Sequence, residues 1–556
     1  MAQNQLRNKV DYCIDKLLIW IIVSSIILFI LYPILKLIMV SFMKDGRFTF
    51  AQYQDLFNKE TFVLIKNSTF IATVSSLGAI IISLVIALYV VFGGNKYSRW
   101  LYNILFFTII SPPFVGALAF IMLFGRRGLI TYRLLGLRIN PYGWQGIVTM
   151  QIIGEISFTT IFLVLILKSI DIKILKASKD LGASFIETLK RIILPLALPG
   201  IIAVYFIVFT KNIADFGTPI IIGGNYNVLA TEAYLTAIGR ADLEKAAAMS
   251  VLLIIPAFIA FYLYRITMKS QSISGYDYNV LFNRNNENFK ISNIFGKIIG
   301  LISWVVIFLI LLQYVVILLT ALSNPSSNKV IFTIEYVKLF NEIQLASLFR
   351  SIVYSLIAGI VASFIGLMLS YYAERRKIKV MKSMEFISSL PYIIPGTFFG
   401  IAYILAFNKG LLDMTGTVAI VVLNCIFRQI SVSNKAANSI FISLDKNIEK
   451  VGKDLGASEI NIIKDIILPI LKPAFINSFI NTFTSTMTTI GAIIFLISPG
   501  ANVITVDMFS AIKNGDYGLG SVIAIVIIII TFIVNFIAIK INEKIENRWK
   551  YVIKCK

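Results

Sequence analysis

Long apolar stretches recur twelve times along this chain, and they decide what it can fold into. A helix crosses the hydrocarbon core of a bilayer with about 20 predominantly apolar residues. Stretches of that kind lie near 17–42, 68–93, 101–124, 146–167, 196–217 and 247–264. They return near 298–322, 351–373, 384–407, 415–434, 473–497 and 519–539. The expected fold is therefore an all-α polytopic membrane protein of about 12 transmembrane helices. Glu155 and Arg428 interrupt the stretches near 146 and 415, which are the weakest of the set. The first run is too long for the apolar core of a cleavable signal peptide and reads as a retained span. Composition agrees: 58% of residues are hydrophobic, 14% are charged, and mean hydropathy is +0.83. A soluble chain needs about a quarter of its residues charged.

The basic residues set an orientation. Lys and Arg number 51 against 29 Asp and Glu, a net charge of +22. In a polytopic membrane protein such residues collect in cytoplasmic loops. With the N-terminus inside, 33 of them fall in cytoplasmic segments and 15 in outer loops, which predicts both termini in the cytoplasm. The outer segment 125–143 resists the rule with Arg126, Arg127, Arg133 and Arg138. No soluble basic domain is present, so nucleic acid is not an expected partner, whereas membrane lipid is. Histidine is absent, which excludes a histidine base, metal ligand or pH switch. Cys13, Cys425 and Cys555 are far apart, so no metal site, cluster or disulfide framework is expected.

The chain repeats itself. Residues 176–200 read KASKDLGASFIETLKRIILPLALPG, and residues 450–474 read KVGKDLGASEINIIKDIILPILKPA. The offset of 274 also carries Gly217 onto Gly491 and Asp242 onto Asp516. It drifts to about 279 around Pro112 and Pro391, as a shorter loop in the second copy would produce. The chain thus divides into a first half, 1–265, a polar cytoplasmic linker, 266–293, and a second half, 294–556. Each half has six spans, so both insert the same way, as a parallel repeat with its axis along the membrane normal. A central pathway between two such halves is the natural function.

Both copies of the motif fall on the cytoplasmic side. Each reads as a short helix, a turn at Gly182 or Gly456, and a second helix followed by Leu-Pro. Glycine suits such a turn, and the small residues Ala177, Ser178, Ala183 and Ser184 permit close approach by another protein. Pro195 and Pro469 are expected to start the next span, where a missing N–H costs little. Two equivalent knobs suggest a two-fold symmetric cytoplasmic partner.

The pattern resembles the EAA loop of bacterial ABC-importer permeases, E-A-A-x-x-x-G followed by I-x-L-P. In that family the loop carries a coupling helix that seats in the ATPase subunit. The resemblance covers essentially the whole chain and implies docking through Lys176, Ala177, Asp180, Leu181, Gly182, Ala183, Ser184 and Pro195. In the second loop it implies Lys450, Asp454, Leu455, Gly456, Ala457, Ser458 and Pro469. The usual Glu is Lys176 and Lys450 here, and the usual alanines are Ala177-Ser178 and Val451-Gly452. Residues 214–231, ADFGTPIIIGGNYNVLAT, resemble a segment of fused permeases for ferric iron and 2-aminoethylphosphonate; thiamine permeases share the fused arrangement. The resemblance implies a multi-pass permease of the bacterial cell membrane, importing ferric iron, with 2-aminoethylphosphonate, thiamine or another small solute as the alternative. It also implies two copies of a cytoplasmic ABC ATPase and an extracytoplasmic substrate-binding protein. ATP would be bound by the partner subunit, since no GxxxxGK[ST] phosphate loop occurs in the chain. The permease itself is expected to be neither an enzyme nor a cofactor binder.

A gradient-driven transporter is the rival class. It would need ionisable groups at mid-membrane, and Glu155 and Arg428 qualify. At the 274 offset Glu155 falls on Gln429, beside Arg428. These two read either as a polar pair facing the pathway or as structural groups. Asp215 and Gly217 follow the fifth span; Gly491 retains the break in the second half, while Asp215 falls on Thr489. That segment reads either as a bend at the outer interface or as a gate whose carboxylate favours a cation.

Overall fold

The computed structural model describes the chain apart from residues 1, 95, 109–112, 127, 139, 270–292, 324–331, 409–411, 446, 499 and 555–556. Nearly all of the linker expected at 266–293 therefore lies outside the described residues, as do Arg127 and Cys555. The described chain is helical, with one two-residue hairpin pairing Met43–Lys44 and Arg47–Phe48.

Among the described residues, ten helices are long and apolar enough to cross a membrane, or eleven if one bent pair is a single span. Two of the twelve expected stretches, the ninth and the tenth, stand apart from these ten. The ninth is divided into Lys379–Pro391 and Gly396–Phe407, bent by 112°. Pro391 and Pro395 stand at that break, where proline removes a backbone donor and obstructs the preceding turn. The tenth stands apart for a different reason. It forms the helix Val418–Ser443, but Asn424, Arg428, Gln429, Asn434 and Lys435 keep it out of the apolar set.

The chain forms two compact units, one made of 41–345 with 505–528, the other of 1–40, 346–504 and 529–556. In the first, the helices Lys59–Phe92 and Trp144–Ser169 run against each other. Small residues allow this: a Cβ on Gly78 would come within 2.5 Å of Ile152, and the Ser83 hydroxyl donates to the Ile156 carbonyl at 3.1 Å. Without a hydrophobic drive between helices in lipid, such close packing and side-chain hydrogen bonds hold them. Leu194–Ile213 packs on Lys59–Phe92 and on Leu243–Lys269. Asn293–Ala321 lies against Pro113–Phe124 and Lys59–Phe92, with Gly300 seated on Tyr89.

In the other unit, Val418–Ser443 packs on Leu468–Thr488 and Lys379–Ile393. Glu342–Ser370 approaches it at Gly366, where a Cβ would come within 2.8 Å of the Ile430 carbonyl oxygen. The N-terminal segment belongs here. Phe29 stacks on Phe427 with centroids 4.8 Å apart, and the Tyr403 hydroxyl donates to the Phe29 carbonyl at 2.7 Å. The compact units therefore cut across the tandem halves: the first helix of each sequence half packs with helices of the other half.

Candidate functional site

The two repeated loops fold alike in their backbone. In the first, Asp171 caps the helix Ile172–Asp180 by accepting from the Lys173 N–H at 2.9 Å. The helix closes with Leu181 N–H to Ala177 O at 3.0 Å, Gly182 N–H to Lys179 O at 2.9 Å and Ala183 N–H to Ser178 O at 3.1 Å. In the second, Leu455, Gly456 and Ala457 donate to Val451, Lys453 and Gly452 at 3.0, 2.9 and 3.0 Å. Gly182 and Gly456 stand at φ +82° and +81°. This is a Schellman closure, whose left-handed residue costs glycine nothing and other residues about 1–2 kcal/mol.

After the turn the chain enters a new helix capped by serine. Ser184 and Glu187 form a reciprocal capping box, and Ser458 accepts from the Asn461 N–H at 3.3 Å. Between closure and cap each loop thrusts out one leucine: Leu181 is 88% exposed and Leu455 is 83% exposed. Nothing lies within 4 Å of a Cβ on either glycine. Lys176, Ala177, Asp180, Lys450 and Asp454 are exposed too, while Ala183, Ala457 and Ser458 are half-buried. Beside the first turn is a hollow of about 310 Å³ lined by Ser178, Leu181, Gly182, Ala183, Glu187 and Thr188, among others.

Pro195 and Pro469 do not start their spans, which corrects the expectation. The helices begin at Phe185 and Glu459 and pass through π-helical turns, Leu189–Ile193 and Ile462–Ile467, before Leu194-Pro195 and Leu468-Pro469. A π turn widens the helix by one residue. That accommodates a proline which would otherwise meet the carbonyl of the preceding turn.

The polar span residues find partners within their own units. The Lys211 ammonium meets the Glu155 carboxylate at 2.7 Å and sits 4.2 Å from the Phe158 ring centroid. Arg428 donates from Nη1 to the Thr489 hydroxyl at 3.3 Å and borders Gly396. Lys211 falls in the fifth expected stretch, 196–217, but no sequence pattern marked it as the partner of Glu155. The Asp215 carboxylate accepts from the N–H groups of Gly217 at 3.0 Å and Thr218 at 3.1 Å, and from the Gln151 amide at 3.2 Å. It thereby takes up the first two N–H groups of the short helix Gly217–Ile222. Behind it runs a buried relay that no sequence pattern announced: Gln151 donates to Asn212 O, and Asn212 donates to the Ser76 hydroxyl. Gly491 lies in the turn between Leu468–Thr488 and Ile493–Phe495, so both copies break the helix at the same place. Among the described residues, no group of three or more Cys, Asp and Glu side chains gathers to hold a metal.

The family described as binding-protein-dependent transport system inner membrane component matches residues 79–272 and 362–551, once in each half. The ferric transport system permease protein FbpB of Actinobacillus pleuropneumoniae is 28% identical over 548 residues, 94% of this chain and 78% of its own. A putative ferric transport system permease protein FbpB 1 of Haemophilus influenzae is 29% identical over 87% of this chain and 78% of its own. The putative 2-aminoethylphosphonate transport system permease protein PhnV of Salmonella typhi is 29% identical, over 32% of this chain and 70% of its own.

Proposed function

Because the chain belongs to the family of binding-protein-dependent transport system inner membrane components, we propose that it is the permease of an ATP-driven importer whose solute is ferric iron. The observation that carries the reading is the pair of matching loops, one in each family-matched segment, each offering an exposed leucine beside an open glycine turn. A loop that only joined spans has no reason to leave a large apolar side chain in water twice at the same place. On this reading both loops face the cytoplasm, and each docks one copy of a separate ABC ATPase. An extracytoplasmic binding protein delivers the solute to the outer surface. Closure of the ATPase pair on ATP pushes the loops, and the helices rock so that the solute passes.

Ferric iron is preferred because the ferric permeases align with this chain almost end to end, whereas the phosphonate permease aligns with a third of it. Labelled ferric iron and labelled 2-aminoethylphosphonate are offered separately to cells with and without the transporter. Transporter-dependent iron uptake is the expected result. Phosphonate uptake that needs the transporter, with iron uptake that does not, transfers the assignment to the phosphonate.

A further inference from the structure

The two loops share a backbone, but they are fastened differently to the rest of the molecule. Behind the second loop stand two consecutive arginines at the end of the span Glu342–Arg375. Arg375 donates to both carboxylate oxygens of Glu449, in the first turn of the loop's helix Ile448–Asp454. It also donates to the carbonyls of Leu444 at 3.0 Å and Asp445 at 2.6 Å, which lead into that helix. Arg376 grips the N-terminal helix instead. Its Nη1 lies 2.8 and 2.6 Å from the two oxygens of Asp15, whose Oδ1 also accepts from the Tyr372 hydroxyl at 2.9 Å. Asp15 is 1% exposed. One turn earlier on the same helix face, Asp11 accepts from the Ser458 hydroxyl at 2.5 Å. Ser458 is the cap that follows the Gly456 turn, and the next residue, Glu459, is ion-paired with Lys453 at 2.6 Å and lies 4.0 Å from Arg376.

Among the described residues, the first loop has no ion-paired counterpart of this bracket at the matching positions. The helices after the second span of each half begin at Lys96 and Lys379, an offset of 283 in place of the 279 expected around Pro112 and Pro391, and that register sets Phe92 and Gly93 opposite Arg375 and Arg376. The 274 offset sets Phe185 opposite Glu459. Phe92 meets Phe185 edge to face, with centroids 6.0 Å apart. A single edge-to-face aromatic contact holds across a broad range of centroid distances and lets one element shift on another, whereas the charge-assisted hydrogen bonds of the two arginines, bidentate for Arg375 on Glu449, fix geometry as well as distance.

We propose that Arg376, with Asp15 and Arg375, is a positioning device that makes the second loop move as one body with the N-terminal helix and the span ending at Arg375. The first loop moves against its span through an apolar contact. The loops are therefore unequal: transmission through the second depends on an ion-paired bracket, and transmission through the first does not. This rests on the reading of the loops as ATPase-docking sites.

The experiment has two arms. In the first, nitroxide labels are placed on Cys13, which is exposed between Asp11 and Asp15, and on Leu455→Cys. Cys425 and Cys555 are replaced by serine, and the permease is studied alone in lipid nanodiscs. Arg376→Gln should broaden the label-to-label distance distribution about twofold, and Arg376→Lys should broaden it less. In the second arm, the permease is reconstituted with the nucleotide-binding subunit that co-purifies with the wild type. Solute taken up per ATP hydrolysed should fall about fivefold or more in Arg376→Gln while the ATPase remains bound. Asp11→Asn, which keeps an acceptor for Ser458, is the milder variant should Arg376→Gln fold poorly, and it should lower the same ratio by less. An unchanged distance distribution, or an unchanged ratio with the ATPase bound, overturns the proposal. Failure of the wild-type permease to retain any ATPase overturns the docking reading, and the first arm then decides the bracket by itself.

Discussion

Leu181→Ala and Leu455→Ala separate the cost to folding from the cost to assembly. At 88% and 83% exposed, the two side chains contribute almost nothing to the packing of the permease, so their truncation should leave its thermal unfolding unchanged. Docking reverses that balance. Fully burying a leucine is worth about 1.5–3 kcal/mol at roughly 25 cal/mol per Å² of apolar surface. Losing one of them should weaken ATPase binding about 10- to 150-fold at that loop. The assay is titration of the purified ATPase against the permease in nanodiscs, with unfolding of the free permease followed in parallel. Each single variant should retain one tight and one weakened site, and the double variant should lose stoichiometric binding. Binding within about twofold of wild type in the double variant refutes the reasoning, because about 1.5 kcal/mol cannot be removed without a larger change. A fall in unfolding temperature refutes it from the other side, by showing that the leucines are part of the folded packing.

Other outcomes are expected from the same geometry. Gly182→Ala should cost about 1–2 kcal/mol in the loop through its positive φ alone, since the Cβ meets open space; Gly182→Arg or Gly456→Arg should block uptake while the permease stays in the membrane, and normal uptake removes the docking assignment. Asp215→Ala should destabilise the permease by about 1–3 kcal/mol through the lost acceptor for the Gly217 and Thr218 N–H groups and the orphaned Gln151 amide. Asp215→Asn keeps the acceptor and should cost less, so iron uptake that survives Asn but not Ala marks the carboxylate as a structural acceptor rather than a cation gate. An impermeant thiol reagent applied to intact cells should label cysteines placed in 43–60 but not in 266–293, and labelling of the latter reverses the orientation.

The sequence was most legible where the chain repeats. Period and length gave the helices, and the Lys-Asp-Leu-Gly-Ala-Ser motif gave both turns, because a left-handed closure constrains residue type strongly. Span continuity was less legible. Proline marks a break in a helix but does not say whether the chain bends, as between Lys379–Pro391 and Gly396–Phe407, or continues through a π turn, as before Pro195. Lys211 escaped notice as the partner of Glu155 because the two are 56 residues apart, on helices whose facing sides no local pattern fixes. The arginine bracket was hidden for the same reason: Asp15 and Arg376 are 361 residues apart, and nothing in the spacing of either links them. The exchange of first helices between the tandem halves leaves no mark in an alignment of the halves.

The central claim is tested most directly in proteoliposomes holding the permease, with ATP, the ATPase subunit and the solute-loaded binding protein added or withheld one at a time. The predicted result is accumulation of ferric iron only when all three are present, and none under an imposed ion gradient alone. Gradient-driven accumulation in vesicles without the ATPase would contradict it.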